Sequence, residues 1–173
     1  MSNIKKNERK ESKLQCIQNA IKIRRSISFL AENNFYIDEK KIDNIIEKRI
    51  KDFPDEEKQR IKERNYQYFN GQIQRITNSA INYSCGISIH LRKANTIFPI
   101  YMSEFEERRL EMDRAMECCN ALQDELQYAG ECLYADFNKY TNLVLDISKE
   151  FNMIKALRQT DNRFLKEIKK NSG

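Results

Sequence analysis

The chain has 173 residues, 33% charged and 40% apolar, with four Gly, two Pro and a net charge of +5. That length supports one domain with a sizeable core. So little Gly and Pro argues against a loop-rich or all-β fold, and the lack of any apolar run of about 18 residues argues against a transmembrane helix.

Residues 1–11 are polar, basic and aperiodic and read as a flexible arm. From Ser12 the apolar positions Leu14, Ile17, Ala20/Ile21, Ile27 and Leu30 predict a helix over 12–32, its apolar face interrupted by Arg24 with Arg25 alongside. Asp38 can cap a helix whose face is Ile42, Ile45, Ile46, Ile50 and Phe53. Pro54 followed by Asp55, Glu56 and Glu57 starts another, with acids where the helix dipole favours them. Asn70-Gly71 predicts a kink or short break after Tyr68/Phe69. Residues 35–70 therefore read as an inserted helical arm.

A helix over 72–98 follows from Ile73, Ile76, Ala80, Tyr83, Ile87, His90/Leu91, Ala94 and Ile97. Gly86 inside it is unfavourable by about 1 kcal/mol against Ala unless a neighbour comes close. The clearest helix spans 103–134, with a stripe of Phe105, Met112, Ala115, Cys119, Leu122, Leu126, Ala129 and Leu133. Ser103 and Glu106 have capping-box spacing. Asp136 can cap a last helix, 137–158, whose seam is Phe137, Tyr140, Val144, Ile147, Phe151, Ile154 and Leu157. Beyond it, 159–173 reads as a polar, basic tail holding Phe164 and Ile168. Short connections at 99–102 and 135–136 make neighbours antiparallel. The expected fold is all-α: an antiparallel four-helix bundle over 12–158 with the inserted arm.

Few residues carry chemistry. Cys16, Cys85, Cys118, Cys119 and Cys132 form no Cys-x-x-Cys pair, and His90 is the one histidine. No metal, cofactor or disulfide is expected from that set. His90 shows no partner for general-base work in the sequence and reads as a core or interface residue. Glu104, Glu106, Glu107 and Glu111 read as complements to a helix dipole. With no Gly-rich phosphate loop and no Gly-x-Ser-x-Gly, the chain reads as a non-enzyme without a small-molecule substrate. The opening residues lack an apolar h-region, so a cytoplasmic setting is expected.

Charge is the main pointer to a partner. Residues 1–25 carry eight Lys/Arg against two Glu, and 155–173 carry six against Asp161 and Glu167, leaving −5 for the middle. In an up-down-up-down arrangement both ends meet at one basic pole. Lys5, Lys6, Arg9, Lys10, Lys13, Arg24, Arg25, Lys155, Arg158, Arg163, Lys166, Lys169 and Lys170 are then candidate phosphate contacts. A solubilising terminus explains the same charges without a ligand. Arg108 falls on the central stripe beside Arg109. It reads either as an arginine snorkelling from the helix end or, with Arg109, as a contact to a partner chain or RNA. Tyr66, Tyr68 and Phe69 beside Arg64 offer base stacking or, more simply, a core face.

The stretch Asn95-Thr96-Ile97-Phe98-Pro99, the run Glu104-Phe105-Glu106-Glu107-Arg108-Arg109 with Ala115, the opening Glu8-Arg9-Lys10-Glu11-Ser12 and Asp161-Asn162-Arg163-Phe164 carry a resemblance. Over roughly Lys13 to Phe164 the chain resembles the Avd-like four-helix-bundle proteins of phages and mobile elements, the accessory variability determinants of diversity-generating retroelements. The resemblance implies a homo-oligomer that binds a reverse transcriptase and its template RNA. The 35–70 segment and the acidic middle depart from that pattern. The alternative is a phage or mobile-element interaction module that inhibits or scaffolds a host protein and has no nucleic-acid role.

Overall fold

A computed structural model describes residues 6–171, with side chains described over 15–169. These residues form α1 (Lys6–Glu32), α2 (Glu39–Ile50), α3 (Asp55–Thr96), α4 (Met102–Cys132), α5 (Thr141–Thr160) and α6 (Asn162–Asn171), with 3-10 turns at Asn34–Tyr36 and Phe137–Lys139. The fold is all-α; among the described residues the sole β-type pairing is one bridge, Ile37 to Ala135.

The central helix behaves as its pattern requires. All eight residues of the expected stripe are buried, and so is Arg108 between Phe105 and Met112, giving an unbroken three-four alternation from 105 to 133. That alternation suits near-parallel packing against long neighbours. α4 lies against α3 on one side and α5 on the other, and α1 closes onto both α3 and α5. Partners run in opposite directions. Arg75 reaches Glu125 while His90 reaches Glu111 between α3 and α4. Gln123 reaches Ser148 while Arg158 reaches Asp113 between α4 and α5.

Several local readings change on packing. α1 begins at Lys6, inside the stretch read as an arm. Its buried row is Cys16, Ala20, Ile23, Ile27 and Leu30, so Arg24 lies off the core face instead of interrupting it. α3 runs unbroken through Asn70-Gly71. α4 alongside supplies Glu125 and Tyr128 to Arg75 and Gln72, and extending a helix across one Gly is cheaper than starting a new one. α4 is capped by Glu104, which accepts from the amides of Ile100 (2.8 Å) and Tyr101 (3.1 Å), not by Ser103 and Glu106. Asp136 caps the 3-10 turn, accepting from Asn138 N at 3.1 Å, and α5 starts at Thr141. The α5 seam is Tyr140, Leu143, Ile147, Glu150 and Ile154, so Leu143 and Glu150 occupy places expected for Val144 and Phe151. The tail is partly helix: α6 buries Phe164 and Ile168 against Phe105.

Two ends result. At one, Cys16 in the first half of α1 meets the end of α3, the start of α4 and the end of α5 around Ala94, Arg108 and Leu157. At the other, the α1–α2 and α4–α5 connections are stitched together by Asp136 N to Tyr36 O (3.0 Å) and Asp38 N to Tyr134 O (3.3 Å). Asn34, Phe35 and Tyr36 there all have positive φ (47°, 53° and 52°), a left-handed turn unfavourable by roughly 1 kcal/mol per residue. Complete burial of Phe35 offsets it.

Candidate nucleic-acid interface

Arg108 is the organising side chain of the first end. It is 1% exposed, pairs with Asp161 at the α5–α6 junction, and donates to the carbonyls of Ala94 and Ile97 (2.8 Å to the latter). It thereby satisfies acceptors at the C-terminus of α3, where a cation also suits the helix dipole. Its role is internal, which corrects the reading of Arg108 as a partner contact. Arg109 is half-buried, donates to Asn162 Oδ1 at 2.7 Å and lies over the Phe105 ring.

The candidate phosphate contacts fall into three groups. Lys5 lies outside the described residues; Lys6, Arg9, Lys10 and Lys13 lie in the first turns of α1 and Lys170 in α6, their side chains outside those described. Lys155, Lys166 and Lys169 are exposed near the same end. Arg158 there is committed to Asp113 (2.5 Å), and Arg163 lies 5.1 Å from the centre of the Phe164 ring. Arg24 and Arg25 are exposed further along α1, Arg25 beside Tyr36 and Lys139 toward the opposite end. The fold therefore does not bring all thirteen candidates together.

Near the same end, Phe98 (69%), Ile100 (55%), Tyr101 (67%) and Met102 (43%) form an exposed apolar run between α3 and α4. Phe98 meets Phe164 edge-on, with centroids 5.5 Å apart. Of the other aromatics, Tyr66 donates to Asp43 (2.6 Å) and Phe69 is buried, leaving Tyr68 exposed.

His90 does have a carboxylate partner, which the sequence reading lacked. Its Nδ1 lies 2.6 Å from Glu111, which also accepts from Arg114 at 2.7 Å. Burial pushes the Glu111 carboxyl up, but the bonds from His90 and Arg114 outweigh it and hold the group below its usual value. The neighbouring thiol, Cys118 against Gly86, is pushed up by burial, so it is poorly disposed to act as a nucleophile. Among the described residues no group of three or more His, Cys, Asp or Glu could hold a metal ion.

No protein-family model, curated protein or solved structure matches this chain. Its function has to be argued from its own surfaces.

One such surface escaped the sequence reading. Between α1 and α5 lies a cavity of about 380 Å³ lined by Arg25, Phe29, Tyr36, Lys139, Asn142 and Leu143, among others. A second of about 240 Å³, bordered by Lys22 and Lys149, adjoins it through Ser26, Leu143 and Asp146. Phe29 could have been noticed as an aromatic off the helix seam; the pairing of Arg25 with Lys139 across more than a hundred residues could not.

Proposed function

We propose that this chain is a non-enzymatic accessory protein that binds RNA and, as the resemblance implies, a reverse transcriptase during cDNA synthesis in a diversity-generating retroelement. The architecture behind this reading is a four-helix bundle of α1, α3, α4 and α5 with α2 and the first turns of α3 as an arm, working in the cytoplasm as a homo-oligomer. The observation that supports it is the packing of α1 along α5, with α6 following directly after α5. Those segments hold the two basic stretches of the sequence. Cations on these segments release counterions when they meet phosphates, which favours RNA without any reading of bases.

The test is fluorescence anisotropy with labelled RNA at two salt concentrations, on the wild type and a Lys5→Glu/Lys6→Glu/Arg9→Glu/Lys10→Glu variant. Steep salt dependence and weaker binding by the variant are expected. Equal affinities would remove the basic pole from the account. The exposed Phe98–Met102 run favours a second reading, a protein-interaction module without a nucleic-acid role. Loss of a protein partner from Phe98→Ser/Tyr101→Ser, with RNA binding absent throughout, would put that reading first.

A further inference from the structure

We propose that the trough between α1 and α5 binds single-stranded RNA, with a base against Phe29 and the flanking phosphates on Arg25, Lys139, Lys22 and Lys149. The inference rests on the nucleic-acid reading above and adds a second contact surface, distinct from the chain's ends.

The shape comes first. The two adjoining cavities follow α1 from Asn19 to Leu30, a length of about 17 Å at the helical rise of 1.5 Å per residue. Ser26, Leu143 and Asp146 line both, so the two cavities share a wall along α1 and α5. The floor is apolar, made by Ile23, Leu30, Tyr140 and Leu143, all buried. The rim residues Arg25, Phe29, Lys139 and Asn142 are exposed, so the site opens along its side as a strand requires.

The chemistry selects the occupant. Lys22, Arg25, Lys139 and Lys149 face one acid, Asp146, which is engaged by Lys149 at 3.3 Å. The trough is thus cationic in a chain whose middle is acidic. Phe29 is 55% exposed and off the α1 seam, so its ring adds little to the core. Lys139 stands 5.8 Å from the centre of the Tyr36 ring, which keeps a second aromatic beside a cation. An exposed ring flanked by cations suits a base and its neighbouring phosphates. A duplex would offer the phosphates but keep its bases stacked away from Phe29. An acidic peptide would satisfy the cations and leave the ring unused.

The test uses the full chain and a labelled oligouridine of about twelve nucleotides, within the usual size range of single-strand sites. Three variants are compared: Phe29→Ala, Arg25→Glu/Lys139→Glu and Phe29→Trp. Phe29→Ala should weaken single-strand binding about tenfold, the scale of one lost stacking contact. Arg25→Glu/Lys139→Glu should weaken it and flatten its salt dependence. Phe29→Trp should bind like the wild type, and its indole, the only one in the chain, should be quenched by oligouridine but not by the matching duplex. Circular dichroism on each variant confirms the fold. Undiminished affinity in the first two variants, or an unquenched indole at saturation, overturns the trough and leaves the broader RNA reading standing. No binding by the wild type at low salt overturns both. Equal competition by polyglutamate reassigns the trough to an acidic protein and overturns the proposal.

Discussion

Replacing Glu150 with Gln should abolish a pH dependence of stability amounting to about 3 kcal/mol. Glu150 has no exposed surface, and neither carboxylate oxygen has a hydrogen-bond partner. It is near Cys16 and Asn19 of α1 and Cys119 of α4, and none of these is a cation. Burial pushes its carboxyl up from 4.5 to about 7, with Asn19 tempering the shift only in part while its amide is directed at the Met153 sulfur 3.3 Å away. Between those two values the folded protein holds a proton that the unfolded chain has released. Stability is therefore full below the unfolded pKa, falls as the pH rises through the interval, and levels off above the folded pKa. About 2.5 pH units at 1.36 kcal/mol each amounts to about 3 kcal/mol. The assay is urea unfolding of wild type and Glu150→Gln at about pH 5 and about pH 8, with slopes checked for two-state behaviour. Taking the difference between the two proteins cancels every other titrating group. Near pH 5 they should be similar, or the variant slightly weaker because its amide is buried without partners; near pH 8 the variant should have gained by about 2.5 kcal/mol relative to that baseline, the unfolded carboxyl being already largely ionised at pH 5. A difference unchanged with pH to within about 0.5 kcal/mol would refute a buried, unpaired Glu150.

Arg108→Met should destabilise by about 3 kcal/mol or more, because it strands Asp161 in the core and frees carbonyls at the end of α3. Adding Asp161→Leu should recover much of that loss in the same urea assay. Gly71→Ala should stabilise by about 1 kcal/mol, since a methyl there meets nothing within 4 Å. Gly86→Ala should destabilise, because its methyl would sit 2.7 Å from Cys118 Sγ, and Cys118→Ala should rescue it; thermal melts decide both. In timed thiol labelling, exposed Cys132 should react first. Cys16, buried and pushed up to about 12, and Cys119, also buried and pushed up, should react only when the chain opens.

Helix content and the central stripe were legible because a helical period is a local property, readable from spacing alone. Choosing between adjacent rows was harder. Val144 and Phe151 form as good a three-four row as Leu143 and Glu150, and apolar content favours the first pair. Ile147 and Ile154 belong to both rows; α5 turns Leu143 and Glu150 inward because α1 and α4 approach from that side. The trough was hidden for a related reason, since its walls come from opposite ends of the chain.

By itself the sequence determined an all-α chain, the long α4 with every stripe residue buried, and a strongly basic beginning and end. These depend on residues within a turn or two of each other, or on charge, which needs no fold to be counted. Only the tertiary structure decided that Arg108 is an internal clamp, that Glu150 is a core residue and that α3 runs through Asn70-Gly71. Each depends on a partner distant in the chain: Asp161 for the clamp, Cys16 and Cys119 for the buried acid, Glu125 and Tyr128 for the unbroken helix. The favourable energy of those contacts exceeds the local preference they override, and that comparison cannot be made until the helices have met.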